Sequence, residues 1–171
     1  MAQPPDLTIT EATTADIDTI AEFFWAAWRS TGPEAPGWAG ASEEVMAEIT
    51  DPNLIRSRIG GPDRRMFLAW VEDRVVGFAA TRVLEAADTV ELAGIVVLEE
   101  MAGRGIGTPL VDAAAAAAAR AGAGEMLVKT ETTNERALGF YRSRGFVDRG
   151  TSVEHVEGTS VEVAELVRAL T

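Results

Sequence analysis

Two stretches of this chain combine residue types and spacing that could do chemistry. The first is MAGRGIGTPL, Met101–Leu110, with glycines at 103, 105 and 107, an arginine at 104 and Thr108-Pro109 behind them. Glycines have no Cβ, so a main chain built from them can approach a ligand closely and turn sharply. Placed where a strand turns into a helix, their N–H groups add to a helix-end charge of roughly +0.5. That is an anion site, suited to phosphate. The second stretch is TNERALGFYRSRGF, Thr133–Phe146. It reads as an amphipathic helix with Asn134 as N-cap, Gly145 as stop, and Ala137, Phe140 and Tyr141 on neighbouring positions. Tyr141 is the only tyrosine, and the plain reading of it is a half-buried aromatic.

Other reactive groups are scarce. There is no cysteine, which excludes disulfides and thiolate chemistry, and one histidine, His155, in a polar stretch that places it on the surface rather than in a site. Lys129 is the only lysine among fifteen basic residues. No cluster of metal-ligand spacing occurs, so no metal is expected.

Two familiar phosphate loops do not fit the glycine turn. A dinucleotide turn needs Gly-x-Gly-x-x-Gly, and Gly107 falls one residue early for it. A Walker loop needs Gly-Lys-Ser/Thr, and no lysine is there.

The elements that must position these groups follow from periodicity. LTIT (7–10) reads as a strand, and Ile17, Ile20, Phe24 and Trp28 recur at helical spacing behind Thr13 or Thr14. A Pro/Gly loop with Trp38 follows. SEEVMAEITDPNLIRSRI (42–59) carries one or two short helices, with Pro52 marking the break. RMFLAWV and RVVGFAATRVL, joined by Glu72-Asp73, read as a hairpin, and TVELAGIVVL as a further strand. After the glycine turn a helix starts at Thr108 or slightly earlier and ends near Gly122, with Thr108 as N-cap and Pro109 as first residue. EMLVKT is a strand, residues 134–145 a helix, and FVDRGTSVEHV with SVEVAELVRAL a closing antiparallel pair. Strand–helix–strand in the middle implies a right-handed crossover and parallel pairing within an otherwise antiparallel sheet. The fold class is α/β (α+β), in one domain over residues 1–171.

Net charge is −12, from 27 acidic and 15 basic residues. Nucleic acid is therefore not an expected partner, since phosphate neutralisation needs a basic face. An acidic body suits a cationic substrate. No apolar run approaches the roughly 20 residues of a membrane span, and the N-terminus lacks signal-peptide features. The expectation is a cytoplasmic protein without a membrane partner.

Taken together, VVLEEMAGRGIGTPLV and NERALGFYRSRGF closely resemble the GNAT superfamily of acyl-CoA-dependent N-acetyltransferases. That family carries an Arg/Gln-x-x-Gly-x-Gly/Ala pyrophosphate loop after its fourth strand and a later Asn-x-x-Ala-x-x-Phe-Tyr, then Gly-Phe. The second pattern matches at Asn134, Ala137, Phe140, Tyr141, Gly145 and Phe146. The resemblance in element order runs from Leu7 to Leu170. It implies a mixed, mostly antiparallel sheet of about six or seven strands with a splayed parallel pair, flanked by about four helices. It further implies acetyl-CoA as co-substrate and transfer of an acetyl group to a primary amine. Relatives are often dimers, so a homodimer is also an expectation.

On the same resemblance, Ile95, Val96 and Val97 pair with the pantetheine arm through their backbone. Ala102, Gly103, Arg104, Gly105, Ile106, Gly107 and Thr108 cradle the pyrophosphate. Asn134, Ala137 and Tyr141 approach the sulfur end. Tyr141 stands where the family's general acid stands. Glu91 occupies a position where many relatives carry a catalytic glutamate, its plain reading being a solvated strand-end charge, with Glu131 as the reserve base. Phe24, Trp28 and Trp38, flanked by Glu34, Glu43 and Glu44, are candidates for an acceptor pocket that attracts a cation. The loop departs from the family pattern at Glu99, Met101 and Ala102. Ala102 replaces the family's Arg/Gln, keeping an amide N–H for phosphate but losing a side-chain contact. Arg104 stands two residues on as a partial substitute. These departures leave open a non-catalytic acyl-CoA-binding or regulatory domain.

Overall fold

A computed structural model describes residues 4, 6–31, 41–85, 88–156 and 158–171. Hydrogen bonding orders its seven strands β1-β2-β3-β4-β5-β7-β6. They are β1 (Leu7–Glu11), β2 (Arg64–Val71), β3 (Arg74–Val83), β4 (Thr89–Val97), β5 (Glu125–Glu131), β6 (Val147–Val156) and β7 (Thr159–Ala169). The helices are α1 (Ile17–Ser30), α2 (Glu43–Ile49), α3 (Pro52–Ser57), α4 (Gly107–Arg120) and α5 (Glu135–Ser143). Among the described residues there are five, against an expected four or so, because Asp51 caps a new helix and Pro52 opens it. The Asp51 side chain accepts from Asn53 and Leu54 N–H at 2.8 and 3.2 Å, and a first-turn proline forfeits no intrahelical bond. The chain divides into two compact units, residues 1–81 with 94–114, and residues 82–93 with 115–171.

In the first unit, β1 pairs antiparallel with β2, from Leu7↔Val71 to Glu11↔Phe67. Thr13 and Asp16 form a capping box: Asp16 Oδ2 accepts the Thr13 N–H at 2.8 Å and Thr13 Oγ1 accepts the Ala15 N–H at 3.3 Å. α1 starts only after this single 3₁₀ turn and buries Ile17 and Ile20 as expected, but then Phe23 and Ala27, while Phe24 and Trp28 are only half-buried. The phenyl rings of Phe23, Phe24 and Phe78 meet in that core. The β2–β3 hairpin turns through Glu72 at φ 55°, a left-handed residue that a two-residue connection demands.

In the second unit, β4 and β5 form the parallel pair, registered from Thr89↔Glu125 to Leu92↔Val128. β5 pairs antiparallel with β7, and β7 with β6 across an irregularity between Asp148 and Gly150. Ala115, Ala117 and Ala118 of α4 are buried, as are Leu138 and Tyr141 of α5. The alanine run does no chemistry. It favours helix and lets the helix backbone lie close to its neighbours.

Candidate active site

The glycine turn is held in shape from both ends. Upstream, Glu99–Met101 form one 3₁₀ turn, closed by Met101 N–H on Leu98 O at 2.8 Å and Ala102 N–H on Glu99 O at 3.0 Å. Arg104 N–H then bonds Met101 O at 3.3 Å. Gly103 and Gly105 adopt φ of +75° and +74°. Each would accept a Cβ without collision, so what selects glycine is the left-handed conformation, which costs an L-residue roughly 1–2 kcal/mol. The N–H groups of Gly103, Gly105 and Ile106 find no acceptor among the described residues. This corrects one expectation. The Ala102 amide is not available to a ligand, because the 3₁₀ turn consumes it. α4 starts at Gly107, so Thr108 and Pro109 sit inside its first turn rather than at cap and first position. Proline is tolerated there because first-turn amides have no intrahelical acceptor.

One residue that sequence reasoning missed controls where this turn lies. Gly77, within β3, is buried, and a Cβ on it would stand 2.9 Å from Ile106 Cγ2, 2.9 Å from Leu110 Cδ1 and 3.3 Å from Ala69 Cβ. Its absence lets Ile106 and Leu110, both almost wholly enclosed, rest on the strand. The available signal was an isolated glycine inside a strand pattern, which marks close approach of another element.

Upstream of the turn, the parallel ladder stops at Leu92↔Val128 although β4 continues to Val97 and β5 to Glu131. The strand stretch holding Ile95, Val96 and Val97 thus lies beyond the last parallel pair. Ala102 is half-buried, and Arg104 is exposed with no ion pair to a described residue.

Tyr141 is set by the way α5 ends. Gly145 at φ +84° donates to Arg142 O at 3.2 Å, and Phe146 N–H donates to Tyr141 O at 3.2 Å. That double closure is a Schellman motif, and its accompanying apolar contact is the Phe146 ring against Tyr141, centroids 5.5 Å apart. Phe140 packs on the other ring contact at 5.3 Å. The Tyr-x-x-x-Gly-Phe spacing therefore has a mechanical meaning: it locks the phenol. The residue is 6% exposed, not half-buried, and burial pushes its phenol up to about 12. Its hydroxyl bonds to no described residue.

At the other end of α5, Asn134 Oδ1 accepts the Ala137 N–H at 3.1 Å, so this asparagine is an N-cap as the sequence indicates. Glu131 closes β5 and gives its carbonyl to Asn134 N–H at 2.9 Å.

Glu91 is not a solvated strand-end charge. It is buried within β4 and ion-paired to Arg82 of β3. His155 is exposed, its Nδ1 3.1 Å from Ser160 Oγ. Of the acceptor-pocket candidates, Phe24 stacks edge-on to Phe78 at 4.8 Å. Trp28 donates its indole N–H to Ala41 O at 2.9 Å and meets Trp25 edge-on. Glu43 and Glu44 lie exposed in the first turn of α2. Trp38 and Glu34 fall outside the described residues. Among those described, no group of three acidic, histidine or cysteine side chains is placed to hold a metal, and no helix is long and apolar enough to cross a membrane.

Residues 17–146 match the model of the Acetyltransferase (GNAT) family. The chain belongs to that family. Solved structures share its fold. The PaiA N-acetyltransferase of Thermoplasma acidophilum, in complex with coenzyme A, superposes with a TM-score of 0.69 at 20% identity, covering 95% of this chain and 98% of that one. A GNAT-family acetyltransferase from Streptococcus pneumoniae gives 0.72 at 18% identity, over 95% and 99%. YncA from Salmonella typhimurium, a putative acetyltransferase with its cofactor acetyl-CoA, gives 0.67 at 20%, over 97% and 95%. This GNAT chain therefore has the family's mixed seven-stranded sheet with one parallel pair.

Proposed function

We propose that this GNAT-family chain transfers an acetyl group from acetyl-CoA to a primary amine by direct attack. The observation that carries the reading is the turn at 103–106, where three amide N–H groups without an acceptor among the described residues precede a helix. Such donors suit a diphosphate, and coenzyme A carries one.

The chemistry asks two things of side chains. An amine with pKa about 10.4 is ionised at pH 7, and neutralising it costs about 4.6 kcal/mol. Glu91, acting through a water molecule, takes the proton that the attacking nitrogen sheds. Tyr141 gives its phenolic proton to the departing thiolate. Its elevated proton affinity keeps it charged with that proton at every ordinary pH. The nitrogen–carbon bond forms, the carbon–sulfur bond breaks, and the products are the amide and free coenzyme A. The acceptor is a small or peptide amine, favoured when cationic by the net charge of −12. Phe24 and Trp28 are its candidate apolar contacts. The reaction needs neither nucleic acid nor a membrane.

A second reading, an acyl-CoA-binding regulator, is motivated by Ala102, which offers neither a side chain nor a spare amide. Thiol release from acetyl-CoA across a panel of amines separates the two. Turnover with any amine supports the transferase; saturable acetyl-CoA binding without thiol release supports the regulator.

A further inference from the structure

Glu91 is a carboxylate whose two oxygens have different fates. Arg82 gives Oε2 its Nε–H at 3.0 Å and an Nη2–H as well. Both donors of the guanidinium edge thus fall on one oxygen instead of spanning two. Oε1 accepts from no described residue. The Glu91 side chain keeps 11% of its surface exposed, although the residue as a whole is 8% exposed.

The neighbourhood holds this arrangement in place. Lys129 of β5 bonds Glu154 of β6 at 2.6 Å and lies 3.9 Å from Glu165 of β7. The Glu154 hydrogen bond is the main reason its ammonium holds its proton more tightly than usual, with Glu165 and Glu91 adding to it and burial opposing. Glu154 in turn is lowered chiefly by Lys129 and slightly by Arg82. Arg82, Glu91, Lys129 and Glu154 therefore alternate in sign, and each carboxylate feels both cations. Lys129 is committed to Glu154, which leaves Arg82 as the cation that fixes the rotamer of Glu91. The Arg82 side chain is 46% exposed and that of Glu91 11%, so only the cation's end of the pair is open to water.

We propose that Arg82 is a positioning residue for acyl transfer: it occupies Oε2 of Glu91, so that Oε1 alone is presented as proton acceptor. This rests on Glu91 serving as the base. Arginine suits the task because its planar fork fixes direction, whereas lysine offers a point charge.

The test compares Arg82→Gln, Arg82→Lys and Glu91→Gln in the full chain. It measures thiol release from acetyl-CoA, with an amine panel and with water alone as acceptor, beside thermal melting. Arg82→Gln is expected to lower kcat at least tenfold with the KM for acetyl-CoA unchanged within twofold. Arg82→Lys is expected to recover part of the loss, with all three variants melting close to the parent. Arg82→Gln retaining kcat within twofold while Glu91→Gln is slow would overturn the positioning role and leave the base in place. Arg82→Lys as slow as Arg82→Gln, both melting well below the parent, would reduce the pair to a structural one and overturn it equally. Glu91→Gln at full kcat would remove the base assignment itself.

Discussion

The glycine turn after β4 and the C-terminal end of α5 are both shaped by left-handed glycines, and they use them to opposite ends. In the turn, Gly103 and Gly105 leave main-chain donors without acceptors among the described residues. At α5, Gly145 closes every local bond and so fixes one side chain, Tyr141. A site made of amides depends less on its side chains, and here the turn forms with Glu99, Met101 and Ala102 in it. A site made of one phenol has no such tolerance. In the proposed reaction its part rests on a single oxygen atom.

The sharpest way to break that contrast is Tyr141→Phe. Loss of a general acid costs about 10²–10³-fold in kcat, while acetyl-CoA affinity measured calorimetrically should stay within twofold. A kcat reduced less than threefold would return Tyr141 to a packing role. The same variant has a signature in stability. The folded phenol is raised to about 12 from an ordinary 10, so its contribution is fully present below pH 10 and is lost as pH rises toward 12. That loss amounts to about 2–3 kcal/mol. Between pH 9 and 11 the parent should lose denaturant stability more steeply than Tyr141→Phe, and parallel curves would contradict the burial.

On the turn, Gly105→Ala forces an L-residue into φ near +74°. A strain of about 1–2 kcal/mol should appear as roughly tenfold weaker acetyl-CoA binding, with kcat at saturation largely preserved. A fall in kcat at unchanged affinity would erase the distinction between the two regions. Ala102→Arg asks whether a side chain can still add to a backbone site. Because the 102 amide is spent on Glu99, the added guanidinium should tighten acetyl-CoA by about fivefold, less than a fully desolvated charge-assisted bond would give. Equal or poorer affinity would refute the view that this loop lacks a contact. Smallest of all is Glu100→Gln, which removes the Arg74 ion pair beside the turn. Both side chains are more than half exposed, so melting should change by less than about 0.5 kcal/mol.

Much of this was legible in the residues. Asn134, Gly122 and Gly145 mark helix ends by local chemistry, and each stands at such an end. The second family motif could be read residue by residue, and the order of strands and helices follows from period. Gly77 was not legible as a positioning residue, because the atoms that forbid a side chain there belong to Ile106 and Leu110, about thirty residues away. Nor was the loss of the Ala102 amide, since a one-turn 3₁₀ helix at Glu99–Met101 leaves no periodic trace. Glu91 was a candidate base whose plain reading was a strand-end charge, and only the fold shows it buried and paired with Arg82 of the neighbouring strand.

The sequence by itself determined the chemical inventory: no thiol, one phenol, a glycine turn and a capped helix carrying that phenol. Those are matters of residue type and of conformational preferences acting within a few residues. The tertiary structure alone decided which amides stay unsatisfied, how deeply Tyr141 is enclosed and which oxygen of Glu91 is free. Each of these depends on partners brought from distant positions, because a hydrogen-bonding group is used or spare only relative to whatever the fold sets beside it.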